Sequence, residues 1–85
     1  MQIFTTARFD KLYKKLPLNI KVKAEQKDQI FQQDPYNPRL ETHKLQGRDS
    51  EHWAYSIDKQ YRIKFIFQND GSVLYLKVGT HDEVY

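Results

Sequence analysis

Residues 61–78 read Tyr-Arg-Ile-Lys-Phe-Ile-Phe-Gln-Asn-Asp-Gly-Ser-Val-Leu-Tyr-Leu-Lys-Val. Tyr61, Ile63, Phe65 and Phe67 fall on every second position, with Arg62 and Lys64 between them. That two-residue period is the mark of a strand with one apolar face. Asn69-Asp70-Gly71 then supplies a turn, because Asp-Gly readily takes positive φ, and Val73–Val78 returns as a second strand. Upstream, Trp53, Tyr55 and Ile57 alternate in the same way. The last third of the chain is therefore expected to be an antiparallel three-stranded meander.

The first half reads differently. Gln2–Thr5 suits a short strand. Thr5 or Thr6 can cap a helix through its hydroxyl. Phe9, Leu12, Tyr13 and Leu16 follow at i, i+3, i+4 and i+7, one apolar helical face. Pro17 stops this helix. A second is expected from an Asn19 cap to about Gln33, with Ile20, Ala24, Ile30 and Phe31 inward and Val22 off the stripe. Asp34-Pro35 ends it, since a residue before proline avoids helical geometry. The order β-α-α-β-β-β predicts an α+β fold: an N-terminal short strand and helical hairpin packed on a C-terminal antiparallel sheet, in one domain spanning 1–85. Between the halves, 34–52 is expected to be an irregular loop anchored by Leu40 and Leu45. A loop this long in a small domain is usually functional or disordered, and the anchors favour function.

Eighty-five residues bury only roughly 60% of the unfolded surface, so the core leans on its aromatic rings. With no cysteine, disulfides and cysteine metal sites are excluded, which fits a reducing cytoplasm. Residues 1–20 lack the continuous apolar run of a signal peptide, and no stretch has a membrane-spanning length, so no membrane partner is expected. The net charge is +3, and residues 1–48 hold 10 Lys/Arg against 5 Asp/Glu, whereas 49–85 hold 4 against 6. A basic first half suits a polyanion or an acidic protein partner; the alternative is a solvated helical surface.

Three residues are interleaved with the predicted strands: His43 in the loop, Arg62 on the second strand of the meander, and His81 just past Gly79. Two imidazoles and a guanidinium are what RNA cleavage without metal requires. One group takes the ribose 2′-OH proton, another protonates the leaving 5′-oxygen, and a fixed cation holds the phosphorane charge. Each residue also has a bland reading: a loop histidine, an exposed strand arginine, a turn histidine. If the aromatic face of 61–67 meets the helices, Arg62 and Lys64 face outward on an open side. Asp82 and Glu83 could raise the pKa of His81, but adjacent residues rarely converge on one ion, so no metal or other cofactor is expected. Lys44, Arg48, His52 and Lys64 are candidates for phosphate contacts with RNA, and Glu51 is a reserve base. Tyr85 is either an apolar plug or a ring that stacks on a base or orients the phosphate.

Asp34-Pro35 through Arg39-Leu40, His43-Lys44-Leu45-Gln46-Gly47, Tyr61-Arg62-Ile63 and Val78 through Tyr85 together resemble the RelE/ParE superfamily of bacterial toxins, over nearly the whole chain. Similarity to its RelE, YoeB and YafQ types implies an endoribonuclease that cuts messenger RNA in the ribosomal A site, leaving a 2′,3′-cyclic phosphate and a free 5′-hydroxyl. It also implies a cognate antitoxin and the ribosome as partners. His43 and His81 match histidines of the YafQ type, Arg62 the strand arginine of the RelE and YoeB types, and Tyr85 the terminal aromatic. The chain departs from the pattern in two places. Ala54 and Ser56 stand on the strand where the RelE type carries two lysines, and Gln60 replaces an aspartate of the YafQ type. Chemistry is then expected to rest on the histidine pair. The same resemblance admits two alternatives: a ParE-like, non-enzymatic inhibitor of DNA gyrase, and a degenerate toxin that only binds its antitoxin.

Overall fold

The computed structural model describes residues 1–47 and 51–85. Arg48, a candidate RNA contact, lies outside the described residues. Strand β1 (Ile3–Thr5) leads into helix α1 (Ala7–Lys14) and then α2 (Leu18–Gln33). Next come a 3-10 turn at Pro38–Leu40, β2 (His43–Lys44), β3 (Trp53–Ser56), β4 (Tyr61–Phe67), β5 (Val73–Thr80) and a short helix α3 (His81–Val84). Among the described residues no helix is long and apolar enough to cross a membrane.

Local chemistry explains the helix ends. Thr6, not Thr5, caps α1: its Oγ1 accepts the Phe9 N–H at 3.0 Å and donates to the Leu76 carbonyl at 3.0 Å. One hydroxyl thus fixes both the helix start and its place on β5. The Asn19 cap is corrected. Helix α2 begins at Leu18, and the carbonyl of Pro17 accepts the Ile20 and Lys21 N–H groups, each at 3.0 Å. Pro17 adopts the extended geometry of a cap residue, which leaves Asn19 inside the first turn.

The sheet has five strands in the order β1-β5-β4-β3-β2. The meander is antiparallel as expected, β2 adds antiparallel to β3, and β1 joins β5 in parallel. Residues 34–47 are thus more regular than an irregular loop, with a 3-10 turn and an edge strand of their own. Leu40 is fully buried, but Leu45 is only half-buried, so one of the two expected anchors is weaker than anticipated. Its N–H donates to the His52 carbonyl at 2.8 Å, and this backbone pairing holds the segment against β3.

A β-bulge decides which residues of β5 face the helices. The register steps from Lys64↔Lys77 to Phe65↔Tyr75, leaving Leu76 with no residue opposite. Strict alternation would place Lys77 on the face of Val73 and Tyr75. The extra residue reverses the parity, and the core takes Val78 instead. Phe31 of α2 is the hub of that core, 4.8 Å from the Tyr55 ring, 4.9 Å from Phe65 and 5.8 Å from Tyr75. Fully burying a ring of this kind contributes about 1.5–3 kcal/mol.

The face opposite the helices is not open along its length. Ala54, Ser56 and Lys64 are buried there. Lys64 sits on the central strand between Ala54 of β3 and Lys77 of β5. The expected solvent-facing Lys64 is therefore corrected: its side chain is buried, at 6% exposure.

Candidate functional site

Three separate parts of the fold meet at one open depression of about 290 Å³ lined by Glu41, His43, Ser56, Arg62, His81 and Tyr85. The cross-strand pairs explain the convergence. His43 lies opposite Ala54, Ser56 opposite Arg62, and Arg62 opposite Gly79. The end of β5 thus delivers His81 and α3 beside Arg62, and the edge strand delivers His43 from the other side.

His43 is fixed at both ring nitrogens. Nδ1 lies 3.0 Å from the Glu41 carbonyl oxygen. A carbonyl only accepts, so Nδ1 carries a hydrogen, and in the neutral ring Nε2 presents its lone pair. Glu41 aims that carbonyl by adopting a left-handed conformation, φ 52° and ψ 39°. Such a conformation is uncommon for a residue other than glycine and concentrates at functional sites. On the other nitrogen, the Tyr85 hydroxyl donates to Nε2 at 2.8 Å.

Tyr85 contacts both imidazoles. Its ring centroid is 5.8 Å from that of His43 and 4.2 Å from that of His81, edge-on in each case. Burial pushes its phenol up from the ordinary value, while the Arg62 guanidinium, by charge and by hydrogen bonding, pulls it down; burial prevails. Arg62 is clamped from below. Nη1 donates to the Asp58 carbonyl at 2.6 Å and the Tyr61 carbonyl at 3.1 Å, so the β3–β4 turn sets the orientation of the guanidinium.

His81 opens α3. Its N–H donates to the Gln60 carbonyl at 2.9 Å, and its Nδ1 lies 3.6 Å from the exposed Asp82 carboxylate. Glu83 does not serve His81. Its Oε1 accepts the Thr80 N–H and the Thr80 hydroxyl, each at 2.8 Å, and these two donors hold its carboxyl below the usual range.

The structure therefore brings together His43, Arg62, His81 and Tyr85. It adds Glu41 and Ser56, which sequence reasoning missed. Glu41 contributes a backbone carbonyl, which leaves no side-chain signature. Ser56 had a signal: two residues after Ala54, it shares the sheet face of Arg62. Lys44 is exposed on β2 but is turned to the other face from His43 and does not line the depression. His52 is half-buried before β3 and lies outside it, as does Glu51. Chemically, the arrangement offers an imidazole whose Nδ1 is held by a carbonyl, a second imidazole, a phenol touching both, and an oriented cation.

No family model matches the chain, and no curated protein sequence matches it. Solved structures do. A copper-bound mutant toxin from Helicobacter pylori superposes with a TM-score of 0.78 at 20% identity, covering 100% of this chain and 99% of that one. A YoeB/ParE toxin from Agrobacterium tumefaciens gives 0.80 at 14% identity, over 95% of this chain and 99% of that one. A chain of the E. coli DinJ-YafQ toxin-antitoxin complex gives 0.71 at 17% identity, over 99% of this chain and 96% of that one, and YafQ from E. coli strain BL21(DE3) gives 0.73 at 16%, over 99% and 97%. Strand order, helical hairpin and end-to-end superposition agree, and this chain has the fold of the RelE/ParE toxin superfamily, the one that YafQ carries.

Proposed function

We propose that this chain is the toxin of a type II toxin–antitoxin pair and that it cuts messenger RNA in the ribosomal A site. The observation that carries the proposal is the convergence of His43, Arg62, His81 and Tyr85 on one concave surface. A protein that only bound another protein would not need a tautomer-fixed imidazole, a second imidazole and a clamped guanidinium around one depression.

The geometry supports the following roles. His43 acts as general base, because the Glu41 carbonyl holds Nδ1–H and leaves Nε2 to receive a proton. The ribose 2′-oxygen, losing its proton toward that base, attacks phosphorus. The bond from phosphorus to the 5′-oxygen breaks, and His81 gives that oxygen a proton. The products are a 2′,3′-cyclic phosphate and a 5′-hydroxyl. Arg62 stabilises the phosphorane; removing a donor of this kind typically costs about 10²–10³ in rate. Tyr85 orients the phosphate or stacks on a base. His81 also borders a second depression of about 420 Å³ with Lys59, Gln60, Thr80 and Asp82, a path for the strand beyond the cut.

The ribosome supplies the remaining positioning by holding the codon in line. An antitoxin with an acidic segment that folds on binding suits the basic first half and the open site; YafQ has been solved together with DinJ. The reading places the protein in the cytoplasm with its substrate. Primer extension on a translated message after induction tests it. Cuts inside codons that vanish when translation is blocked are the expected result. Intact message with DNA-damage signalling would replace the nuclease by a gyrase inhibitor, and unaffected growth would leave a protein that only binds its antitoxin.

A further inference from the structure

The base nitrogen proposed for His43 is already engaged. Its Nε2 accepts the Tyr85 hydroxyl at 2.8 Å, and Nδ1 is committed to the Glu41 carbonyl at 3.0 Å. A ribose 2′-OH cannot reach Nε2 directly while that phenol is in place. The Tyr85 oxygen has lone pairs of its own, however, and it stands in the same depression as Arg62 and His81. From this geometry we infer that Tyr85 is a proton relay: its oxygen takes the 2′-OH proton while its own proton passes to His43 Nε2.

This deepens the proposed nuclease reading and rests on it. The step is balanced. The 2′ O–H bond breaks as a bond to the Tyr85 oxygen forms. The former Tyr85 O–H bond breaks as Nε2–H forms. The phenol ends neutral, His43 ends as imidazolium, and the 2′-oxygen attacks phosphorus. No other reactant is needed. A phenol is ordinarily protonated at neutral pH, and burial raises Tyr85 further against the pull of Arg62, so Tyr85 does not serve as a free phenolate base. It can only pass on a proton as it receives one, and the net acceptor remains His43. The role differs from stacking: stacking uses the ring face, the relay uses only the hydroxyl.

Tyr85→Phe separates the two, since it keeps the ring beside His81 and removes only the oxygen. Single-turnover cleavage of a translated message on ribosomes is measured for wild type, Tyr85→Phe, His43→Ala and the double variant. The expected result is that Tyr85→Phe slows cleavage by about 10²-fold, the scale of one general-base contribution. In the His43→Ala background the same change should then have no further effect, because both residues lie on one proton path. Tyr85→Phe cutting as fast as wild type or faster would show that the hydroxyl is only a stopper over Nε2 and would overturn the relay. Losses that multiply in the double variant would also overturn it, since they mean independent roles. If wild type itself leaves the message intact, the nuclease reading fails, and the relay falls with it.

Discussion

The carboxylate of Glu83 lies over Gly79 so closely that a β-carbon there would stand 3.0 Å from Oε1. That carboxylate holds the Thr80 N–H and hydroxyl, and Thr80 is the residue from which α3 starts. Gly79 is thus empty space reserved for the brace of the helix that begins with His81 and leads into Tyr85. Gly79→Ala is expected to push Glu83 aside, since a flexible side chain yields before backbone does. The cost to stability should be that of a weakened cap, about 0.5–2 kcal/mol, read by urea unfolding. Cleavage should fall much further than stability, because the two site residues lose their placement. A Gly79→Ala variant with full cleavage would show that α3 is held by other contacts.

The same brace gives α3 an acid limit. The Thr80 N–H, then its hydroxyl, depress the Glu83 pKa below its ordinary 4.5. A depressed folded-state value means stability that is complete above the unfolded value and lost as pH falls through the folded one. Acidification below the ordinary range should therefore release α3 while the core persists. An NMR acid titration should show the Thr80 amide signal moving with the Glu83 carboxyl, and Glu83→Gln should flatten that curve. A Thr80 amide that does not respond would remove the link.

In the core, Tyr75 donates to Asp28 at 2.6 Å, and the Tyr55 and Tyr75 hydroxyls are 3.0 Å apart. With the Tyr75 proton committed to Asp28, Tyr55 is the donor to Tyr75. The two phenylalanine substitutions should consequently differ. Tyr55→Phe removes one bond and leaves Tyr75 satisfied, at about 0.5–1.5 kcal/mol. Tyr75→Phe strands the fully buried Tyr55 hydroxyl and deprives Asp28 of a donor, at about 1–3 kcal/mol or more. Denaturant unfolding of both variants should rank Tyr75→Phe as the costlier; the reverse order would mean that the chain of donors runs the other way.

How much was legible follows the range of each interaction. The hairpin of β4 and β5 was readable because alternation and Asp-Gly are local signals, and the helix α1 because its apolar stripe and Thr6 are. The Leu76 bulge was not, since strict alternation on β5 gave no sign that Val78 would displace Lys77 from the core. The burial of Lys64 was hidden for a related reason: alternation says which face a strand residue takes, not whether that face is covered. Strand β2 and helix α3 are too short to show a period. Of the site, His43, Arg62, His81 and Tyr85 were chosen by chemistry and by family resemblance. Their meeting depends on β2 pairing with β3 and on Arg62 facing Gly79, long-range pairings that no local pattern states.

Arg62 offers the sharpest separation of charge from geometry. Its Nη1 reaches two carbonyls at once, Asp58 at 2.6 Å and Tyr61 at 3.1 Å, so the guanidinium is oriented before any substrate arrives. Lysine keeps the positive charge but is a point cation on a flexible stem and cannot reproduce the planar fork. If pre-orientation matters, Arg62→Lys should lose about 10²-fold in cleavage rate, close to the loss from Arg62→Ala. If only charge matters, Arg62→Lys should retain most of the rate and Arg62→Ala should not. Both variants leave the apolar face of β4 untouched and give up the guanidinium's bonds to the turn carbonyls, so their unfolding midpoints should lie close to each other, and single-turnover rates on translated message decide between the two. Near-wild-type cleavage by Arg62→Lys would show that the clamp at the β3–β4 turn holds the strand rather than the chemistry.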